Sequence, residues 1–263
     1  MNLETQFKQT LKKIKLSKKE KIVVAFSGGK DSAVTGYLLK KFGYNIEGIY
    51  IDLKVGRYSD ECLKAVKKLC DDLGIQLYVY DLKKEQGKTM KYFWSKNKKL
   101  NHCSVCGVMK KWVLNKEAQR LGAEKIATGH HLNDEAETFL MNFLKGSPEL
   151  SANTGSITMN ISDKKFVPRI KPLFYISEEE IKKYANAKKL PFVEGVCPYR
   201  EDSYRVQVRK FLNTLPKKQT ENIIKNLEKI RSRIKKKSRE MNYCNICKEP
   251  CRKSVCKKCE MMK

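Results

Sequence analysis

Three groups of residues in this 263-residue chain have the types and spacing of a chemical site. The first is Ser27-Gly28-Gly29-Lys30-Asp31-Ser32, directly behind the apolar run Ile22 to Phe26 and ahead of a helical stretch reaching Phe42. A buried strand that ends in a glycine-rich turn and opens a helix points backbone N–H groups and a positive dipole end at one spot, which suits phosphate. Lys30 adds a mobile charge there, and Ser27 and Ser32 add hydroxyl donors. The Walker spacing G-x-x-x-x-G-K-[ST] is absent, as is the dinucleotide pattern G-x-G-x-x-G.

The second group is sulfur, ten cysteines in all. Cys244-x-x-Cys247 and, eight residues on, Cys256-x-x-Cys259 supply the four thiolates of a tetrahedral structural zinc site. Two such knuckles let a segment too small for a core fold around metal. Cys251, between them, is a fifth thiol that could compete as a ligand. Cys103-x-x-Cys106 stands before a helix expected over 105–121, where the helix dipole favours thiolates. Redox chemistry, persulfide formation and metal binding all fit that pair. With Cys197 as a distant partner, three thiolates would hold a [4Fe-4S] cluster and leave one iron open. Spacing alone does not separate a cluster from zinc or a redox disulfide. Cys62 and Cys70, on an amphipathic helix, read as packed residues.

The third group is Thr128-Gly129-His130-His131-Leu132-Asn133-Asp134-Glu135-Ala136. At a strand end followed by a helix, the Asp134 carboxylate can coordinate Mg²⁺ or take a proton, or simply cap the helix. His130 and His131 could ligate or shuttle protons, although loop histidines commonly only form hydrogen bonds.

The elements that position these groups alternate. Strands are expected at Ile22–Phe26, Ile46–Ile51, Gln76–Tyr80 and Lys125–Thr128, and helices at Leu3–Leu16, from Lys30, Asp60–Leu73, Lys84–Lys99, Val105–Leu121 and Asp134–Phe143. Short connections between them imply an α/β fold with a doubly wound parallel sheet whose site lies outside the carboxyl ends of the strands. Between Lys145 and Pro172 a loop or small hairpin using Ile157, Met159, Phe166 and Pro168 is expected. Ser177 reads as the N-cap of a helix through Ala187, with further helices over Ser203–Leu212 and Glu221–Ser238. The organisation that follows is an amino-terminal helix (1–20), a main domain (21–202), a basic helical arm (203–240) and a zinc module (241–263).

Lys and Arg number 56 against 29 Asp and Glu, a net charge of +27, so a polyanion is the natural partner. The charge concentrates between Lys217 and Arg239, with Arg231, Arg233, Lys235, Lys236, Lys237 and Arg239 in one stretch. Such an arm lies along a phosphate backbone or is a solvated face. Around the knuckles, Lys248, Arg252, Lys253, Lys257 and Lys258 would face RNA. No apolar stretch approaches the roughly 20 residues of a membrane span. A cytosolic protein with no membrane partner is expected, and in that reducing compartment cysteines serve metal or catalysis.

The segment Ser27 to Ser32 resembles, residue for residue, the SGGxDS loop of the N-type ATP pyrophosphatases, which split ATP between the α and β phosphates. Together with Cys103-Ser104-Val105-Cys106-Gly107, the Thr128–Ala136 segment, Cys197-Pro198-Tyr199 and the terminal knuckles, the chain resembles the TtcA/TtuA family of tRNA 2-thiolation enzymes from about Lys21 to Cys259. The resemblance implies that Cys103, Cys106 and Cys197 ligate the iron–sulfur cluster. It implies ATP contacts from Ala25, Phe26, Ser27, Lys30, Ser32, Ile51 and Gly129, in a loop that includes Gly28, Gly29 and Asp31, and catalytic roles for Lys110 and Asp134. It also implies a homodimer. The expected reaction is adenylation of a tRNA uridine O2 by ATP with Mg²⁺, then attack on C2 by hydrosulfide from the open iron. Sulfur would come from free sulfide or the thiocarboxylate of a ubiquitin-like carrier protein.

The terminal knuckles favour the uridine-modifying branch over the cytidine-modifying one, which lacks them. Met1 to Lys21 has no cysteine, whereas the TtuA-like branch has a zinc finger ahead of this domain, so the tRNA position stays open. A cluster-free tRNA lysidine synthetase, an amide-forming synthetase and a non-catalytic RNA-binding zinc protein are the alternatives.

Overall fold

The structure, a computed structural model, describes residues 2–158, 163, 165–200, 204–233 and 242–262. In chain order the main body runs α1 (Leu3–Lys13), β1 (Ile22–Phe26), α2 (Lys30–Lys41), β2 (Ile46–Asp52), α3 (Arg57–Leu73), β3 (Leu77–Asp81), α4 (Leu82–Gln86) and α5 (Met90–Lys96). It continues with α6 (His102–Arg120), β4 (Lys125–Ala127), α7 (Leu132–Leu144), a 3-10 turn over Pro148–Asn153, β5 (Ile157–Thr158), β6 (Arg169–Ile170) and α8 (Glu178–Ala187). The helices α9 (Tyr204–Asn213) and α10 (Lys217–Arg233) precede a small module of β7 (Asn242–Tyr243), β8 (Pro250–Cys251) and α11 (Lys257–Glu260).

The main sheet has the order β3-β2-β1-β4-β6-β5, parallel except for the edge strand β5. Alternation along β1 sends Ile22, Val24 and Phe26 into a core with Phe7 of α1, Val34 and Leu38 of α2, Val66 of α3 and Ile181 of α8. Val23 faces the other side, against Ile49, Ile126 and Ala118 of α6. Burying each such aliphatic side chain contributes roughly 1.5–3 kcal/mol. The sheet is thereby covered on both faces, which is what its near-continuous apolar strands require.

The expected helix over 84–99 is instead two short helices. Gly87, at φ +66, ends α4 in the left-handed conformation, and α5 restarts after Thr89. α6 begins at His102, three residues earlier than expected, because the Asn101 side chain accepts the Ser104 N–H (2.8 Å) as an N-cap. The hairpin expected between 145 and 172 exists as β5 against β6 and extends the main sheet, β6 pairing in parallel with β4. Its Met159, along with Ser203, residues 234–238 of the last expected helix and Lys235, Lys236, Lys237 and Arg239 of the basic arm, lies outside the described residues. Arg231 and Arg233 fall within α10, which is no freestanding arm: Ile224 and Leu227 are buried with Leu132, Ala136, Val208 and Leu212.

Candidate active site

From β1 the chain steps through β2 and β3 toward one edge, and after β4 it fills the other side with β5 at the edge and β6 beside β4, so β1 and β4 flank the switch point where a crevice opens beyond the strand ends. The loops that leave these two strands, 27–29 and 128–131, enter that crevice. They touch closely. A Cβ on Gly129 would stand 2.7 Å from both the Asp31 carbonyl carbon and the Ser32 nitrogen, so only glycine lets the two backbones meet. Gly28 sits at φ +84, and a Cβ there would lie 2.5 Å from the Cβ of Cys62.

Within the loop, the Ser32 hydroxyl donates to the Gly29 carbonyl (2.9 Å) and accepts the Ser27 N–H (3.1 Å), so this expected free donor is engaged in holding the loop's shape. Gly29 is the N-cap of α2 and offers no side chain to the first-turn N–H groups. Those donors therefore stay available to an oxyanion. Ala25 and Ile51 are partly exposed on β1 and β2. The Phe26 ring is packed into the core, where a Cβ on Gly36 would come within 2.5 Å of it, which leaves Phe26 only its backbone to present to a nucleotide.

Lys30 Nζ lies 2.8 Å from Glu178 Oε1 and 3.3 Å from Asp31 Oδ1. Burial pulls the Lys30 ammonium down, but Asp31 and Glu178 outweigh it and hold it above its usual value. Glu178 is itself positioned by Asn133, whose Oδ1 accepts its N–H at 3.0 Å. Burial and nearby Asp134 raise the Asp31 carboxyl against the opposing pull of His131 and Lys30. Asp134 behaves differently. Despite burial, His131, His130 and Arg209 keep its carboxyl below the usual value. The capping alternative is realised here, since Asp134 Oδ2 accepts the His131 N–H at 3.3 Å. Its other oxygen lies 3.4 Å from Arg209, which also grips the buried Glu137. Of the two histidines, His131 is buried, its Nδ1 without a hydrogen-bond partner among the described residues, and His130 Nδ1 is 2.9 Å from the Thr128 hydroxyl.

Cys103 and Cys106 fall in the first turns of α6 rather than ahead of it. Trp94 of α5 organises their surroundings. Its ring lies 4.5 Å from His102, the neighbour of Cys103, and 4.7 Å from Tyr199, two residues past Cys197. Burial pushes the Cys106 thiol up, Lys110 pulls it down, and Cys103 and Cys197 raise it again, so the three sulfurs feel one another. They do not close to the spacing of a single-metal site. Three thiolates are the donor set of a cluster that leaves one iron without a protein ligand, so the residue types present fit that group. Cys62 links the two halves of the crevice: it backs onto Gly28 and also feels Lys110 and Cys197. Cys70 is buried in the core, as expected.

Against Trp112, midway along α6, the sulfurs of Cys244, Cys247, Cys256 and Cys259 all lie within 4.8 Å of one another, and Cys247 and Cys256 are 3.6 Å apart. Ligands about 2.3 Å from one tetrahedral zinc stand about 3.8 Å apart, so the set fits zinc. Burial pushes the Cys244 thiol up, but the N–H groups of Cys247, Cys256 and Ile246 outweigh it and bring it to about 6. Cys251 does not join the four; its thiol donates to the Lys253 carbonyl at 2.8 Å.

Sequence reasoning missed Glu178, Trp94, Arg209 and Glu137. The run Ser177-Glu178-Glu179-Glu180 does mark a helix start, but only tertiary structure selects the acid that meets Lys30, 148 residues away.

Residues 1–215 match the PP-loop domain family. The chain is 35% identical over 265 residues to the tRNA-5-methyluridine(54) 2-sulfurtransferase of Pyrococcus horikoshii, covering 98% of this chain and 83% of that one. It is 34% identical over 252 residues to the cytoplasmic tRNA 2-thiolation protein 1 of Drosophila erecta, covering 92% and 73%. The solved U34-tRNA thiolase NcsA from Methanococcus maripaludis, with its [4Fe-4S] cluster, superposes with a TM-score of 0.82 at 28% identity, over 98% of this chain and 85% of that one. With the SGGKDS loop at the switch point of a parallel sheet and these relatives along almost its whole length, the chain belongs to the PP-loop family of enzymes, among the tRNA sulfurtransferases.

Proposed function

We propose that the protein activates O2 of a tRNA uridine with ATP and replaces it with sulfur, giving 2-thiouridine. The observation that supports this reading is Cys62, which backs onto the phosphate loop at Gly28 and feels the charges of Lys110 and Cys197; in this reading activation and sulfur delivery share one crevice. Its parts have separable roles. The first-turn N–H groups of α2 and the Lys30 ammonium bind and orient the β and γ phosphates. Asp31 and Asp134 would hold Mg²⁺, which supplies charge neutralisation at the phosphates. Uridine O2 attacks the α-phosphorus and pyrophosphate leaves; sulfur then adds at C2, and AMP departs with the original oxygen. Cys103, Cys106 and Cys197 would hold the [4Fe-4S] cluster, which supplies an iron without a protein ligand where sulfur can be handed over. Lys110, exposed one turn past Cys106, places positive charge near the thiolates and the developing anion. Free sulfide or a thiocarboxylate carrier protein is the donor, and the cytoplasm and a homodimer complete the reading.

The test supplies anaerobic protein with ATP, sulfide and unmodified tRNA, and identifies nucleosides by mass spectrometry. Appearance of 2-thiouridine with equimolar pyrophosphate is expected. Pyrophosphate release with no thiolated nucleoside would overturn the sulfur-transfer reading, and 2-thiocytidine would overturn the choice of base.

Lys30 must leave Glu178 to meet phosphate. Replacement of the half-exposed Glu178 by glutamine removes that competitor, and since such pairs are worth up to about 1 kcal/mol, ATP binding is expected to tighten by up to about fivefold. Unchanged or weaker ATP binding would show that Glu178 positions Lys30 instead.

Zinc held by the four terminal thiolates would be structural. Trp112 packs against this module, and Asn97 donates to the Met261 carbonyl at 3.1 Å. A chelator is expected to remove one zinc per chain and red-shift the fluorescence of Trp112 as the module opens. An unshifted spectrum after complete metal loss would count against a metal-held module.

A further inference from the structure

Between α6, β6 and the C-terminal module lies a cavity of about 460 Å³. Its wall gathers Lys111, Arg169, Arg252, Lys253 and Lys258, none of which makes an ion pair among the described residues. Of the two acids in the wall, Glu260 pairs with Lys257 at 3.1 Å, and Glu249 is held by the neutral amides of Asn115 (3.3 Å) and Gln119 (3.2 Å).

Lys258 is only 7% exposed, and its ammonium lies 4.3 Å from the centre of the Trp112 ring, with no carboxylate partner among the described residues. The Arg169 Nη2 donates to the Lys111 carbonyl at 3.1 Å, while its Nε–H and the Trp112 Nε1–H are buried with no acceptor among the described residues. Desolvation and the charges of Arg169, Arg205, Arg252 and Lys171 hold the Lys111 ammonium below its usual value. The cations of the wall outnumber its two acids and repel one another, and buried donors that find no acceptor among the described residues are costly. An entering oxyanion relieves both penalties.

The cavity is too large for a bare phosphate and lies in the lower range of small-ligand sites. Val108, Trp112 and Phe166 add apolar wall suited to a sugar and base. Arg252, Lys253 and Lys257 continue the positive charge onto the exposed face of the module, as a longer polyanion would need. We propose that this cavity seats one nucleotide of the tRNA, its phosphate among Lys111, Arg169 and Arg252, so that the C-terminal module and α6 clamp the RNA together. The inference rests on tRNA being the substrate.

The test measures binding of the full-length protein to fluorescently labelled, unmodified tRNA by anisotropy across a salt series. It compares the parent with K111Q, R252Q and their combination, and with K19Q on the exposed α1–β1 connection. The double variant is expected to bind about tenfold more weakly, with its log–log salt slope reduced by roughly 0.7–0.9 for every phosphate it no longer neutralises. K19Q should match the parent, and equal zinc content and melting temperature verify that the variants fold. Parental affinity and slope in the double variant would overturn the proposal while leaving the thiolation reading intact. Unchanged tRNA binding with loss of AMP binding would assign the cavity to a free nucleotide and overturn the RNA occupant. A parent chain that binds no tRNA would remove both readings.

Discussion

Replacement of Cys106 by alanine is expected to leave a colourless anaerobic protein that still releases pyrophosphate from ATP in the presence of tRNA but forms no 2-thiouridine. Cys106 sits inside α6, where alanine suits the helix, and the sheet core does not depend on it. What disappears is one of three thiolates acting as a unit, so thiolation should fall by roughly 10³-fold or more, the scale seen when one member of such a unit is removed. Cys103→Ala and Cys197→Ala should give the same phenotype, and combining them should cost little further. The measurement pairs visible absorbance with a pyrophosphate assay and nucleoside mass spectrometry. If the colourless variant thiolated tRNA at the parental rate, the cluster would have no part in sulfur delivery.

The second large effect is steric. Gly129→Ala places a methyl group 2.7 Å from the backbone of Asp31 and Ser32, where no flexible side chain can move aside. The strand-end loops must separate, at a stability cost of about 1–3 kcal/mol. Because a shift near 1 Å in a positioned site can cost about 10²-fold, pyrophosphate release should drop on that scale. Gly74→Ala is the control: its φ of +59 carries backbone strain, but nothing lies within 4 Å of the new methyl. It should lower the melting temperature without changing turnover at permissive temperature. Equal turnover in Gly129→Ala and the parent would mean that the two loops do not form one site.

The parts of this fold that the sequence made legible are those whose signals are local. Ile22 to Phe26 followed by two glycines could be only a buried strand entering a tight turn, and the helix after it starts where Gly29 ends the extended backbone. The four terminal thiols were legible for the same reason, their spacing being their geometry. Signals failed where a single residue or a distant contact decided. Gly87 interrupts an otherwise helical stretch, and Asn101 starts α6 early enough to carry both cysteines into its first turns. The pairing of Lys30 with Glu178, and of Arg205 and Arg209 with Glu137, depends on side chains brought together by the sheet and leaves no periodic trace in the chain. The basic residues before Lys217 show the limit of charge counting: Arg205 and Arg209 look like RNA ligands in the sequence, yet they face inward to neutralise a carboxylate that is 2% exposed.

That inward-facing pair has a bearing on protein engineering. Arg209 lies against both Asp134 and Glu137, so α9 carries one of the charges that set the electrostatics of the crevice. A chimera that exchanges the carboxyl-terminal half of this protein for a relative's, cut anywhere between α8 and α9, would separate Arg209 from its two acids. Unless the donor segment brings an equivalent guanidinium, or the acceptor segment loses Glu137, the hybrid would hold an unneutralised, buried carboxylate on α7. A seam after Asn213 would keep Arg209 with both acids, at the cost of replacing the α10 residues Ile224 and Leu227 that pack on α7 and α9.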